Sequence, residues 1–305
     1  MRKINIGNSG LMGSEIALGC MRIKNMDIGE AAILIDTAIK CGINFFDHAD
    51  IYGQGQSEEL FGQAMKALHI KRENIILQSK CGIKPNMYDF SKEHILTSVD
   101  GILKRLRTDY LDVLLLHRPD TLMEVDEVAE AFNTLHSSGK VRYFGVSNHN
   151  SLQMQLVEQA CNGKLIANQL QLSLANTTMI DAGLNVNMKN EAAVNRDDSI
   201  LEYCRLKNVT IQAWSPFQSS DVKGVFQGHP QYEALTQEIL RLAEEKGVST
   251  SAIPTAWILR HPANMQVIVG TTNTERLVQI VQANNTMLTR EEWYSLYRSA
   301  GNILP

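Results

Sequence analysis

The chain alternates between short apolar runs and longer stretches in which apolar residues recur every three or four positions. The apolar runs are rich in β-branched residues and leucine, which is typical of strands buried on both faces of a parallel sheet. We predict strands at 16–18, 44–46, 75–77, 111–116, 141–146, 167–172, 209–213 and 267–269. The amphipathic stretches predict helices at 29–40, 57–68, 92–106, 125–136, 152–161, 199–206, 232–246 and 275–283.

About eight strand–helix units are the number that closes a parallel (β/α)8 barrel of roughly 250 residues. An open doubly wound sheet is the competing fold. The first strand–helix turn, at 19–22, lacks the glycine spacing with which such sheets bind a dinucleotide. We therefore predict an α/β fold of the (β/α)8 TIM-barrel type. An N-terminal β-hairpin is expected around 7–10, and an extra C-terminal helix at 289–300 with Thr289 and Glu292 as its capping box.

The predicted elements follow one another without a linker rich in proline, glycine or serine. We therefore expect residues 1–305 to form a single domain. The stretch 174–198 has no clean period and is long for a connector, so we expect a functional or mobile loop there.

The amino-acid composition of the chain disfavours two classes of binding partner. Lys and Arg number 29 against 33 Asp and Glu, so the formal net charge is −4 and disfavours binding to nucleic acid or to an anionic membrane. No apolar run approaches the length of a bilayer span, and the polar start does not resemble a signal peptide, so we expect a cytoplasmic protein. The five cysteines are scattered singly and are expected to be reduced thiols; they are Cys20, Cys41, Cys81, Cys161 and Cys204.

Candidate catalytic side chains follow three successive predicted strands. Asp47 and Tyr52 come after the second strand, Lys80 after the third and His117 after the fourth. In a parallel barrel these strand ends share one mouth. A protonated Lys80 would lower the pKa of a neighbouring phenol, and Asp47 would keep that Lys charged. The set suits protonation of a carbonyl oxygen, oriented by His117, while a hydride reaches the carbon.

Each of these residues also has an ordinary structural interpretation. Asp47 and Lys80 could form a simple ion pair, Tyr52 could be a half-buried phenol and His117 a hydrogen-bonded core imidazole. Four such residues at successive strand ends favour the chemical interpretation. His48 and Asp50 lie close by in sequence but are taken as supporting residues.

Several motifs in one order resemble the aldo-keto reductase family, and specifically its bacterial NADP-dependent oxidoreductase subgroup. They are Asp47-x-Ala49-x-x-Tyr52-Gly53, Lys80, Leu115-Leu116-His117-Arg118-Pro119-Asp120, Gly139-Lys140-Val141-Arg142-x-x-Gly145-Val146-Ser147-Asn148, Gln169, Trp214-Ser215-Pro216, Ala256-Trp257-Ile258-Leu259-Arg260 and Gly270-Thr271-Thr272-x-x-x-Arg276. The resemblance covers nearly the whole chain. It implies a catalytic tetrad of Asp47, Tyr52, Lys80 and His117, with Tyr52 as general acid toward the carbonyl.

The resemblance also implies NADP(H) lying across the carboxyl-terminal mouth of the barrel, and no metal. Gly19, Cys20, Met21 and Asp47 would lie on the nicotinamide side, Ser147, Asn148 and Gln169 would bind the carboxamide, and Trp214 would stack on the ring. Ser215, Pro216 and Phe217 would follow the pyrophosphate, and Gly270, Thr271, Thr272, Arg276 and Gln279 would hold the adenosine 2′-phosphate end. Gly270 departs from the pattern, since many relatives carry Lys or Arg there.

We therefore expect an NADPH-dependent oxidoreductase that reduces small aldehydes or ketones. The alternative is a redox-sensing or partner-binding protein that binds cofactor on the same scaffold with little turnover. A lyase or aldolase using Lys80 as a Schiff base would leave Tyr52, Trp214 and Arg276 unexplained. Substrate choice is expected to depend on the loops at 82–89, 118–123, 174–198 and 301–305.

Overall fold

Eight parallel strands close into a barrel in this computed structural model, which describes residues 1–160 and 164–304. Each strand pairs with the next in chain order, and the last pairs with the first. The predicted (β/α)8 fold is therefore confirmed. Two residues named above, Cys161 and Pro305, lie outside the described residues.

The strands keep the predicted order, with small changes at their ends. A hairpin of β1 (Lys3–Asn5) and β2 (Met12–Ser14) precedes the barrel strands β3 (Ile16–Gly19), β4 (Phe45–Asp47) and β5 (Ile76–Cys81). A short hairpin of β6 (Ile83–Lys84) and β7 (Met87–Tyr88) follows, and then the barrel resumes with β8 (Leu111–Leu116), β9 (Val141–Ser147), β10 (Ala167–Gln171), β11 (Thr210–Trp214) and β12 (Met265–Val269).

The helices surround the barrel. They are α1 (Ile28–Lys40), α2 (Gln56–Ala67), α3 (Lys92–Leu106), α4 (Val125–Ser137), α5 (Ser151–Ala160), α6 (Thr178–Leu184), α7 (Ile200–Lys207), α8 (Glu233–Lys246), α9 (Ala252–Arg260), α10 (Thr274–Val281) and α11 (Arg290–Ser299). Thr289 and Glu292 form the expected capping box at the start of α11. Across residues 1–160 and 164–304, no helix has the length and apolar character needed to cross a membrane.

The sequence pattern did not predict two of the helices. Helix α6 lies in the stretch predicted as a loop, where seven residues are too few to establish a helical period. Helix α9 is buried from Ala252 to Ile258, so it presents no polar face along that length. Amphipathic periodicity detects a helix with one polar side and therefore misses this one.

The N-terminal hairpin closes the amino-terminal end of the barrel. Ile6 is fully buried among the inward-facing apolar side chains of the strands. Gly7 has a φ of +56°, and its N–H donates to Thr210 Oγ1 over 2.7 Å. A Cβ at this position would collide with the Ile166 carbonyl, so glycine is needed for the chain to approach this closely.

The barrel interior changes from apolar to polar toward the carboxyl ends of the strands. Alternate side chains point inward, as the pleat requires. The apolar interior layer is formed by Ile6, Ala17, Phe45, Ile76, Val113, Leu115, Ile166, Ala167 and Ile268. Above it lie Asp47, Gln78, Gln169 and Gln212, which hydrogen-bond one another. This polar layer is the floor of the mouth in which the candidate catalytic residues meet.

Candidate active site

Asp47 and Lys80 form a buried ion pair at the carboxyl ends of β4 and β5. The Lys80 side chain is 0% exposed and that of Asp47 is 3% exposed. Lys80 Nζ lies 2.8 Å from each carboxylate oxygen and 2.7 Å from the carbonyl oxygen of His48. Burial by itself lowers the pKa of Lys80, but the Asp47 charge and the hydrogen bonds to Asp47 and Tyr52 outweigh it, so the net pKa is raised. The ammonium therefore stays charged inside the barrel.

Tyr52 reaches this ammonium from the loop between β4 and α2. Lys80 Nζ donates to Tyr52 Oη over 3.1 Å. Burial raises the pKa of Tyr52, and the charge and hydrogen bond of Lys80 lower it by less, so the net pKa lies above the ordinary value. Lys80 thus acts in the direction expected from the sequence, but burial of the phenol, which the sequence does not reveal, has the larger effect on the pKa. The phenol is consequently protonated at neutral pH and available as a donor.

His117 completes the group as a neutral imidazole. Its backbone N–H donates to the Cys81 carbonyl over 2.9 Å, which fixes the end of β8 beside β5. Burial and the charges of Lys80 and Arg118 lower the pKa of His117 to about 2. Its ring meets that of Tyr52 edge-on, with 6.0 Å between centroids. Nδ1 is buried and has no hydrogen-bond partner within residues 1–160 and 164–304.

The structure thus brings together all four residues that the sequence predicted as a tetrad. In this arrangement a phenol can give up a proton, the ammonium beside it can stabilise the resulting phenolate, and a neutral imidazole can donate a hydrogen bond to an acceptor oxygen. Among the described residues, no cluster of His, Cys, Asp and Glu has the arrangement of a metal site.

The four residues predicted to bind a carboxamide and a ring also lie together. Ser147 Oγ donates to the Gln169 carbonyl over 3.0 Å, and Asn148 Nδ2 donates to Ser147 Oγ over 2.8 Å. The half-buried Trp214 indole donates to Asn148 Oδ1 over 3.2 Å. Ser147 and Asn148 do not cap α5, because Asn150 and Gln153 exchange the capping hydrogen bonds. Their side chains instead form a continuous polar wall beside an aromatic ring.

Gln169 links this wall to the tetrad. Its Nε2 donates to Asp47 Oδ1 over 3.1 Å and to Gln212 Oε1 over 3.2 Å, so both N–H bonds are used inside the barrel. Its Oε1 receives no hydrogen bond from the part of the chain that the structure describes. The Gln169 side chain is therefore oriented so that its Oε1 can accept a hydrogen bond from the amide N–H of a ligand.

The residues predicted on the nicotinamide side are less uniform. Met21 is 48% exposed at the mouth, and Gly19 is half-buried. Cys20 is fully buried and its thiol faces the Leu18 carbonyl, so a ligand would meet its backbone rather than its sulfur. Arg22 donates to the Gly270 carbonyl over 3.1 Å and thereby connects the loops that follow β3 and β12.

The loop after β11 turns sharply at Ser215, which has a φ of +51°. Ser215 Oγ donates to Gln218 Oε1 over 2.7 Å, Pro216 is buried and Phe217 is half-buried.

The predicted phosphate-binding residues surround the start of α10. Gly270 and Thr271 are half-buried, whereas Thr272, Arg276 and Gln279 are exposed. Asn273, which the sequence analysis did not single out, caps the helix by accepting a hydrogen bond from the Arg276 N–H over 2.8 Å. The signal was present, since Asn before an apolar-periodic stretch is a helix start. A helix N-terminus with Arg on its first turn is suited to an anion.

Two further buried polar groups, Glu58 and His48, lie beside the tetrad. Glu58 is fully buried and accepts hydrogen bonds from Ser79 Oγ at 2.6 Å and from Arg105 Nε at 2.7 Å. His48 is fully buried and has no hydrogen-bond partner for either ring nitrogen within the described ranges, and burial lowers its pKa to about 3. It contacts Phe61 edge-on as an apolar ring would. These groups support the strand ends from behind.

The sequence and the fold are similar to those of several known proteins. A sequence model of the aldo/keto reductase family matches residues 15–299. An uncharacterized oxidoreductase, YcsN, of Bacillus subtilis is 35% identical over 97% of each chain, and a 6-dehydroglucose reductase of Agrobacterium fabrum is 33% identical over 94% of each chain. Among solved structures, an aldo-keto reductase from Klebsiella pneumoniae in complex with NADPH has a TM-score of 0.77 and 25% identity, covering 97% of this chain and 94% of its own.

Proposed function

The chain belongs to the aldo/keto reductase family, and on that premise we propose that it is an NADP(H)-dependent oxidoreductase that reduces small aldehydes or ketones to alcohols. The observation that carries the proposal is the hydrogen bond of 3.1 Å that the buried Lys80 ammonium donates to Tyr52. A protonated phenol held against a permanent charge has the chemistry of a general acid for a carbonyl oxygen.

The residues of the mouth fit a nicotinamide coenzyme. Bound NADPH would supply a hydride to the carbonyl carbon. Gln169 would receive the carboxamide N–H at its remaining acceptor, Ser147 and Asn148 would bind the same group, and Trp214 would stack on the ring. The start of α10, with Thr271, Thr272 and Arg276, would hold the 2′-phosphate.

Each tetrad residue then has a distinct task in the proposed reaction. Tyr52 gives its proton to the oxygen as negative charge develops there, and Lys80 stabilises the phenolate that forms. Asp47 keeps Lys80 charged, and His117 orients the carbonyl by donating from its neutral ring. In the reverse direction Tyr52 accepts the alcohol proton.

The test is NADPH oxidation with a panel of aldehydes, diketones and oxidised sugars, since one relative is named 6-dehydroglucose reductase. We expect Tyr52→Phe to lower kcat by roughly 10²–10⁴-fold, the scale of general acid catalysis, with NADPH affinity retained. Tyr203→Phe is the matched control, because the Tyr203 hydroxyl donates a hydrogen bond to Glu158 between helices α7 and α5, outside the barrel. Full turnover by Tyr52→Phe would refute the assignment. Tight NADPH binding by the wild type without turnover of any carbonyl would support the binding-only alternative.

A further inference from the structure

Three buried glutamines form a continuous chain of hydrogen bonds beneath the tetrad. Gln78, Gln212 and Gln266 are each 0% exposed, and we call them the amide ladder. Gln266 Nε2 donates to the Ser14 carbonyl over 2.6 Å. Gln212 Nε2 donates to Gln266 Oε1 over 2.9 Å and to Gln78 Oε1 over 3.0 Å. Gln78 Nε2 donates to Gln212 Oε1 over 2.8 Å and to Asp47 Oδ1 over 2.6 Å.

The ladder fixes which end of each amide faces its neighbour. Because Gln78 Oε1 accepts from Gln212, the Nε2 of Gln78 is directed at Asp47. A reversed Gln78 amide would place two donor nitrogens against each other at Gln212 and two acceptor oxygens against each other at Asp47, which is unfavourable in a buried site. Gln78 therefore presents a fixed donor to the carboxylate.

That donor acts on an ion pair whose two side chains are only 0% and 3% exposed. A buried Lys–Asp pair can become neutral by moving one proton from nitrogen to oxygen, because burial disfavours both charges. Hydrogen bonds donated to a carboxylate favour its ionised form and oppose that transfer. Asp47 Oδ1 receives such bonds from Gln78 at 2.6 Å and Gln169 at 3.1 Å, in addition to Lys80.

We propose that Gln78, oriented by Gln212, is a positioning residue that keeps Asp47 ionised and directed at Lys80, so that the ammonium stays charged beside Tyr52. The reaction it serves is the proposed carbonyl reduction. The other titratable groups around the pair are Tyr52 and His48 from the β4 end, Cys20 from β3, His117 from β8, and Asp50, Glu58 and Arg105 from behind the strands. The side chains of these groups donate no hydrogen bond to Asp47 in the described part of the chain.

The test compares Gln78→Met with Gln266→Met, which removes an equally buried amide that touches Gln212 but not Asp47. We expect Gln78→Met to lower kcat about tenfold or more. It should also shift the alkaline limb of the kcat–pH profile, which reports ionisation of Tyr52, to higher pH by about one unit, because a hydrogen bond to a charged group contributes about that much. The KM for the carbonyl should change little. In Gln266→Met the alkaline limb of the kcat–pH profile should stay at the wild-type pH, although both variants lose stability. Equal losses of kcat with an unmoved limb in both variants would overturn the proposal.

A second readout does not need turnover. Ultraviolet difference titration of the coenzyme-free protein, with each variant compared with its own Tyr52→Phe counterpart, follows ionisation of Tyr52 alone. We expect the transition to move to higher pH in Gln78→Met and to stay in place in Gln266→Met, and an unmoved transition in both would overturn the proposal. If the wild type reduces no carbonyl, the proposed function fails while this titration still decides the role of the ladder. If Gln78→Met does not fold, Gln212→Met replaces it, with a smaller shift in the same direction expected.

Discussion

The backbone N–H of Asp50 donates to the Lys80 carbonyl over 3.0 Å, but its side-chain Oδ1 is buried without a partner within residues 1–160 and 164–304. Burial, together with the Glu58 charge, outweighs the opposing charge of Arg105, and the net result is that the pKa of Asp50 is raised to about 7. As pH rises, the unfolded chain loses this proton before the folded chain does. The contribution of Asp50 to the free energy of unfolding therefore falls as the pH rises from about 4 to about 7, and it is constant above about pH 7.

We predict that Asp50→Asn stabilises the protein by about 2 kcal/mol near pH 8, a figure discounted for the partial exposure of the group. The gain should shrink with decreasing pH and vanish below about pH 4, where Asp50 is protonated in both states. Urea unfolding across this pH range measures it. Asp109→Asn, at an exposed carboxylate, should leave stability nearly unchanged at every pH. A pH-independent effect of Asp50→Asn would contradict the assignment.

Arg276 carries the expected preference for the phosphorylated coenzyme at the residue scale. It is exposed on the first turn of α10, where a bound phosphate would be stabilised by charge and by the helix end. We predict that Arg276→Gln raises the KM for NADPH about tenfold or more and leaves the KM for NADH within about twofold, because a charge-assisted hydrogen bond is lost with only one coenzyme. Arg290→Gln, at an exposed arginine opening α11, is the control. Equal changes for both coenzymes would argue against a phosphate at Arg276.

At the scale of elements, helix α2 packs against α3 through a glycine. A Cβ on Gly62 would lie 2.7 Å from the Arg105 carbonyl oxygen and 2.9 Å from Leu106 backbone atoms. Backbone cannot yield as the end of a side chain does, so the two helices would have to separate.

We predict that Gly62→Ala destabilises the protein by about 1–3 kcal/mol, the usual cost of overpacking, although alanine favours helix. The comparison is Gly183→Ala on the exposed side of α6, where the new Cβ meets a flexible Glu202 carboxylate at 3.2 Å. That variant should be neutral or more stable by up to about 1 kcal/mol. Denaturant unfolding of both variants decides the matter, and equal effects would contradict the close approach at Gly62.

The sequence predicts elements well where one face is polar and fails where burial is complete. The alternation of apolar runs and amphipathic stretches predicted the eight barrel strands, and the Thr289–Glu292 spacing predicted the cap of α11. Helix α9 was missed because its first seven residues, Ala252 to Ile258, are all buried. The hairpin of β6 and β7 was missed because two-residue strands carry no period.

The candidate site could be predicted in its residues but not in its electrostatic balance. Strand ends brought Asp47, Tyr52, Lys80 and His117 together, because parallel strands in a barrel end at one mouth. The direction of the Tyr52 pKa shift required the burial of the phenol, which no motif encodes. Gln78 directly follows the apolar run 75–77, and the alternation of Ile76, Gln78 and Lys80 is the signal that its side chain points into the barrel.

For the whole molecule, closure of the barrel joins the first strand to the last, so loss of either end opens the sheet. We predict one cooperative thermal transition for residues 1–305, as expected of a single domain. NADPH at about 100 times its Kd should stabilise the folded state by about 2.7 kcal/mol and raise Tm by several degrees. NADH at the same concentration should raise Tm less. Two transitions, of which NADPH moves one, would contradict the single-domain prediction, and calorimetry measures both effects.

The measurement that tests the account most directly is a single turnover with NADPH deuterated at the transferable position, in the wild type and in Tyr52→Phe. We predict that the wild type places the deuterium on the carbonyl carbon of the product alcohol, and that Tyr52→Phe binds NADPH with an unchanged Kd but transfers deuterium at least about 10²-fold more slowly. Product without deuterium, or equal transfer rates in the two proteins, would contradict the account.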